Sequence, residues 1–170
     1  MTNSESTNIR DGGIPLKFSA TTLLAPTEKM AIRCKIIEIC NKLLGVKYVF
    51  GTEWTDLVKV PTELDCSELV EGVYKIAGLK IPDGSQNQFF STKHTDNPLF
   101  GDLVFMGRGK NTTQIYHVGI VYDNTQIIEA RAFDPDASFK TGCVILRPKT
   151  AWEKWKNFCG YRVHRDLERI

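Results

Sequence analysis

Leu64-Asp65-Cys66-Ser67-Glu68-Leu69-Val70 opens a run in which apolar residues return at Leu69, Val70, Val73 and Ala77 until Gly78, the rhythm of a helix with one buried face and a glycine stop. Asp65, three residues ahead of Glu68, has the form of a capping box, so Cys66 falls in the first helical turn. Unpaired backbone N–H groups and the positive end of the helix dipole favour a thiolate at such a position, and the thiolate is the nucleophilic form of cysteine. The N–H of Cys66 itself, opening a helix, is a natural donor to an oxyanion.

A second stretch supplies the partner. Ile115-Tyr116-His117-Val118-Gly119-Ile120-Val121-Tyr122 is rich in β-branched and aromatic residues, Asp123-Asn124 reads as a turn, and Gln126 to Ala130 resumes as a strand, so a hairpin is expected. His117 and Glu129 then stand near one another across the pair, where a carboxylate can hold an imidazole nitrogen and fix the ring's tautomer. A thiol on a helix facing an imidazole on a strand, with a third polar group behind, is the nucleophile, base and orienter set that acyl transfer through a thioester requires. Cys66, His117 and Glu129 are therefore the candidate catalytic residues.

The rest of the chain fits around these two elements. Ile32, Ile36, Ile39 and Leu43 form an apolar stripe predicting a first helix that ends at Gly45, and a short helix is expected around Ser85 to Phe90. Strands are expected at Asp102 to Met106, Tyr116 to Tyr122, Gln126 to Ala130, Gly142 to Leu146 and Gly160 to His164. Helices first and an antiparallel sheet afterwards spell an α+β fold, with residues 1–25 as a polar lead and 26–170 as a single domain. Trp152 to Phe158 reads as a helix covering the sheet, and His94 and His164 as surface residues.

Composition narrows the function classes. A chain of 170 residues with 42% hydrophobic and 25% charged residues can bury one substantial core, and no repeat or low-complexity segment interrupts it. A formal net charge of +2 is too small to argue for nucleic acid. Between Arg147 and Ile170 seven basic residues face three acidic ones, which reads as a solvated charged face or as a patch attracting anionic polymers. Five cysteines without a Cys-x-x-Cys spacing give no support for a metal site or a redox pair, and no cofactor is expected. Cys34 and Cys40 point to different faces of the first helix, so reduced thiols are expected. The N-terminus lacks the pattern of a secretory signal and no apolar run approaches membrane-spanning length, so synthesis in the cytoplasm and no membrane partner are expected. A monomeric state is expected as well.

At the residues already named the chain resembles the NlpC/p60 family of bacterial cell-wall cysteine peptidases, which have a papain-like fold. Lys47-Tyr48-Val49-Phe50-Gly51 is similar to the family's Tyr-x-Trp-Gly segment, Asp65-Cys66-Ser67-Glu68-Leu69-Val70 to its Asp-Cys-Ser-Gly-Leu-Val, Gly101-Asp102-Leu103-Val104-Phe105 to its Gly-Asp-Leu-x-x-Phe, and His117-Val118-Gly119-Ile120 to its His-Val-Gly-Ile. The resemblance runs from about Ile36 to the C-terminus. It implies that Cys66 attacks a peptide carbonyl with His117 as base, that Tyr48 places its hydroxyl beside the site, and that Asp65 and Ser67 line the pocket for the N-terminal side of a muropeptide stem. The implied reaction is hydrolysis of the bond between the side-chain carboxylate of D-glutamate and a diamino acid such as meso-diaminopimelate or lysine. The substrate would be met as recycled fragments inside the cell, or in the wall after delivery by phage lysis or a dedicated secretion system.

Three features depart from the family pattern. Glu129 occupies the third catalytic position, where His, Asn or Gln is usual. A carboxylate there is similar to the related CHAP amidases, which cut between muramic acid and L-alanine. Glu68 replaces a glycine, projecting from the first turn as a solvated cap or a substrate contact. The connection from Thr52 to Leu64 is longer than usual, and its Trp54 reads as an anchor packing the loop down or as one wall of the cleft. Two readings from other classes stand beside the hydrolase: a catalytically inactive muropeptide-binding domain, and an acyltransferase working through the same thioester.

Overall fold

The computed structural model describes residues 25–108 and 114–168; the polar lead, apart from Ala25, lies outside them. In chain order the elements are α1 (Pro26–Leu43), β1 (Lys47–Tyr48), β2 (Glu63–Leu64), α2 (Cys66–Ala77), α3 (Ser85–Ser91), β3 (Lys93–Thr95), β4 (Leu103–Gly107), β5 (Ile115–Val121), β6 (Gln126–Arg131), β7 (Cys143–Pro148), α4 (Lys149–Glu153) and β8 (Phe158–Val163), followed by a 3-10 turn at Arg165–Leu167. Among the described residues one sheet of eight strands runs in the order β2-β1-β7-β6-β5-β4-β8-β3. Only β1 and β2, among the described residues, pair in parallel; every other neighbour is antiparallel.

Alternation along the strands builds two apolar layers. Leu103, Phe105, Val118, Ile120, Ile128, Ala130 and Val144 join the main core with Ile36, Leu43, Leu69, Val70, Val73 and Tyr74 from α1 and α2. The intervening residues Val104, Met106, Val121 and Ile127 form a smaller cluster around Trp152 and Tyr161. The sheet is thus covered by the N-terminal helices on one side and by the short α4 on the other. At roughly 25 cal/mol per Å² of apolar area removed from water, fully buried side chains such as Ile36, Leu69 and Phe105 contribute about 2 kcal/mol each.

The fold is the expected α+β architecture, with three differences in detail. The stretch read as a helix from Trp152 to Phe158 is helical only from Lys149 to Glu153, and Phe158 already begins β8. The short strands β1, β2 and β3 carry no two-residue alternation long enough to announce them. His164 is not a surface residue: it is 2% exposed, its Nε2 lies 2.9 Å from the carbonyl oxygen of Lys80, and its ring meets Tyr74 edge-on. His94, by contrast, is exposed beside Asp96, as expected.

Candidate active site

Helix α2 begins where the sequence predicts, and its cap is built by Asp65. One oxygen, Oδ1, accepts the backbone N–H of Glu68 at 2.9 Å and the hydroxyl of Ser67 at 2.9 Å, while Oδ2 accepts the N–H of Gly51 at 3.0 Å. A single buried carboxylate therefore ties the Tyr48 segment to the start of α2. Gly51 reaches it with a φ of 75°, a conformation that a residue without Cβ adopts freely. On the other side, the side-chain amide of Gln88 in α3 donates to the carbonyl of Ser67 at 2.9 Å. Cys66 is the first residue of the helix fixed by these contacts, is itself buried, and is not in a disulfide.

The capping box is only half realised. Glu68 does not turn back toward Asp65; its Oε1 accepts the backbone N–H of Trp54 at 2.6 Å. It is 3% exposed, so it is neither a solvated cap nor a group open to substrate. Burial, reinforced by the neighbouring charges of Glu71, Glu53 and Asp65 and only partly offset by the Trp54 N–H, pushes its carboxyl up to about 7. Trp54 is the anchor of the long connection. Its indole N–H donates to the carbonyls of Asp56 and Lys59, at 2.9 and 3.0 Å, and its ring occupies the space over Gly72, where a Cβ would come within 2.1 Å of it.

His117 and Glu129 meet as the hairpin reading expects, by a diagonal route. The pairing of Ile120 with Ile128, continued by one step, sets Glu129 opposite Gly119, two residues from His117 along the same face. Glu129 Oε2 lies 2.5 Å from His117 Nε2, which leaves Nδ1 for Cys66. Burial alone would depress the imidazole, but the charge and hydrogen bond of Cys66 and those of Glu129 outweigh it and push His117 up to about 10. Tyr48 completes the immediate surroundings: burial first, then the charges of Cys66 and Asp65, push its phenol up to about 12.

Two residues behind the imidazole were not assigned to the site from sequence. Arg147, read there as part of a solvated basic face, is 8% exposed and donates from Nη1 to Glu129 Oε1 at 3.0 Å. Burial would raise the Glu129 carboxyl, yet His117 and Arg147 together hold it below the usual carboxylate range. Trp152 is fully buried and stacks on His117, with ring centroids 5.2 Å apart and planes inclined by 14°. Gly119 makes that stacking possible, since a Cβ there would stand 3.1 Å from the indole and 2.8 Å from Ile127. Neither role had a local signal: Arg147 is 18 residues from Glu129, and only the fold brings Trp152 under the ring.

Beside His117 opens a cleft of about 420 Å³, lined in part by Tyr48, Tyr116, Arg131, Phe133, Asp134 and Trp155. The cleft can therefore hold an extended, partly polar ligand against a buried imidazole. Glu53, Glu68 and Asp83 are close enough to one another to share a cation, but Glu68 already serves the Trp54 N–H there.

Comparison with known proteins agrees with this architecture. Residues 45–138, more than half of the chain, match the model of the NlpC/P60 family. The probable endopeptidase p60 of Listeria monocytogenes is 36% identical over 98 residues, covering 56% of this chain and 18% of that protein. Its counterpart in Listeria innocua is 34% identical over the same length, so the chain spans about a fifth of these curated relatives. Among solved structures, the P60 domain of an antigen from M. avium subspecies paratuberculosis superposes with a TM-score of 0.63 at 23% identity, covering 83% of this chain and 98% of that one. The peptidoglycan hydrolase RipB of Mycobacterium tuberculosis does so with a TM-score of 0.63 at 21% identity, covering 95% and 75%. With this fold and these four motifs, the chain belongs to the NlpC/P60 family.

Proposed function

We propose that this domain is a thiol peptidase that hydrolyses peptidoglycan stem peptides, at the bond between the side-chain carboxyl of D-glutamate and a diamino acid. The single observation that carries the reading is the chain of contacts from Cys66 at the start of α2, through His117, to the buried Glu129. Cys66 Sγ, as thiolate, attacks the acyl carbon while the Cys66 N–H receives the developing oxyanion. The C–N bond breaks as His117 gives its proton to the leaving amine, and a thioester remains. Water then attacks the thioester with its proton passing to His117, and the C–S bond breaks to release the acid. Glu129 orients the ring and stabilises the imidazolium throughout. Tyr48, Asp65 and Ser67 are assigned to the N-terminal side of the stem, Asp65 through the rigid frame that it forms with Gly51 and Ser67.

The carboxylate at position 129 favours one second reading, an amidase cut between muramic acid and L-alanine. Digestion of purified peptidoglycan and of defined stem peptides, with mass spectrometry of the fragments, distinguishes the two. New amino groups on the diamino acid support the peptidase, and free L-alanine termini support the amidase. Cys66→Ala should abolish turnover and leave the thermal transition intact; turnover retained in that variant would rule out the mechanism.

A further inference from the structure

The cleft beside His117 has a polar end that the reaction as written does not use. Arg131 closes β6, two residues beyond Glu129, and its side chain is 22% exposed where it lines the cleft. Its Nη2 meets Asp134 Oδ2 at a long 3.3 Å, and among the described residues its buried Nε finds no acceptor. Asp134 is held in turn by its own loop. The backbone N–H of Asp136 donates to its Oδ1 at 3.1 Å, its own N–H donates to Thr141 Oγ1 at 2.7 Å, and its carbonyl accepts the N–H of Ala137 at 3.2 Å. A guanidinium has five N–H donors and a carboxylate four acceptor sites, so both members of this fixed pair keep capacity for a ligand.

The direction of the chemistry says which part of the substrate comes here. The acid that protonates the leaving amine is His117, so the residue carrying that amine must lie on the His117 side of the thiol. Arg131 and Asp134 line the cleft that His117 lines and that Tyr48, beside the thiol, shares, whereas Asp65 and Ser67 do not line it. We propose that Arg131 and Asp134 form a subsite reading the distal end of the diamino acid, preferring an end that carries a carboxylate beside an ammonium over one that carries an ammonium alone. Arg131 takes the carboxylate and Asp134 the ammonium, a match that meso-diaminopimelate offers and lysine does not. The inference rests on the peptidase reading above and deepens it by naming the specificity-determining pair.

The test uses L-alanyl-γ-D-glutamyl peptides ending in meso-diaminopimelate, in its distal carboxamide, or in L-lysine. Dissociation constants are measured on the Cys66→Ala protein and kcat/KM on the active one. The diaminopimelate peptide should be favoured by about 10-fold over both others, the ratio expected for one partly exposed charged hydrogen bond. Arg131→Gln should bring that ratio close to one, and Arg131→Lys should restore part of it. Equal binding and equal cleavage of the three peptides by the wild type, or an unchanged ratio in Arg131→Gln, would overturn the proposal. Peptides that bind in the expected order without being cut would sink the hydrolase reading and leave the subsite standing. Peptides cut at the expected bond without discrimination would do the reverse, and absence of binding would remove both.

Discussion

Arg147 and Glu129 form a buried ion pair behind the imidazole, with Nη1 donating to Oε1 at 3.0 Å, while the other oxygen of the same carboxylate holds His117 at 2.5 Å. Glu129 has no exposed surface, so its charge is balanced entirely by these cations. Removing one partner of a buried pair leaves the other uncompensated. We expect Arg147→Met to lower stability by about 3 kcal/mol, the low end for a broken buried pair because His117 still faces Glu129. It should also lower kcat more than it raises KM, since Arg147 acts through Glu129 and not on the substrate; a thermal melt and a kcat against KM comparison check both.

Substitutions at Glu129 separate orientation from charge. Glu129→Gln keeps one acceptor but offers two cations a single oxygen, so it should retain part of the activity. Glu129→Ala frees the ring and should lower kcat by on the order of 100-fold. Equal losses in the two variants would argue against an orienting task.

The position of His117 sets a pH profile. Its folded-state value is raised to about 10 from an ordinary 6.5, so protonation favours the folded, ion-paired state. The stabilisation is fully present below about 6.5 and is lost as pH rises through about 10. Activity that depends on the imidazolium should hold through neutral pH and decline on the alkaline side, without a fall near 6.5. A kcat/KM profile measured from pH 6 to about 10.5 checks this.

Glu68 gives a second, independent pH signal. Its carboxyl is raised from 4.5 to about 7, so the stability it contributes is complete below 4.5 and is lost as pH rises through about 7. Glu68→Gln keeps an oxygen for the Trp54 N–H and cannot ionise. Its melting temperature should draw level with wild type at acid pH and exceed it above pH 7; a constant offset across that range would contradict the assignment.

The seat of Trp54 is tested at Gly72. Alanine would ordinarily favour a helix interior by about 1 kcal/mol. Here its Cβ would stand 2.1 Å from the indole, so Gly72→Ala should be destabilising overall, by about 1–2 kcal/mol after the propensity gain. Trp54 fluorescence should shift as the loop is displaced, and an increase in melting temperature would contradict the packing.

What could be read from the sequence follows the range of the interactions concerned. Helix α2 and the hairpin of β5 and β6 declare themselves because periodicity and turn residues are local, and with them came Cys66, His117 and Glu129. Arg147 did not, because a guanidinium that pairs across two strands looks, residue by residue, like any other basic residue near a solvated end. His164 went the same way: its partner, the Lys80 carbonyl, lies 84 positions away. Glu68 stands out in sequence as a departure from glycine, but its partner, the Trp54 N–H, belongs to a loop of unusual length that local pattern does not place. Local pattern therefore located the candidate thiol, imidazole and carboxylate, and packing across the sheet supplied the groups that restrain them.

The indole beneath His117 has one more consequence. With Nε2 engaged by Glu129 and one ring face covered by Trp152, the imidazole is left a single open port, the nitrogen turned to the sulfur. Protons can then enter or leave the base only along the line on which the acyl group arrives. Glu129, which has no exposed surface, closes the other nitrogen, and the absent methyl group at Gly119 lets the indole hold the ring in that plane.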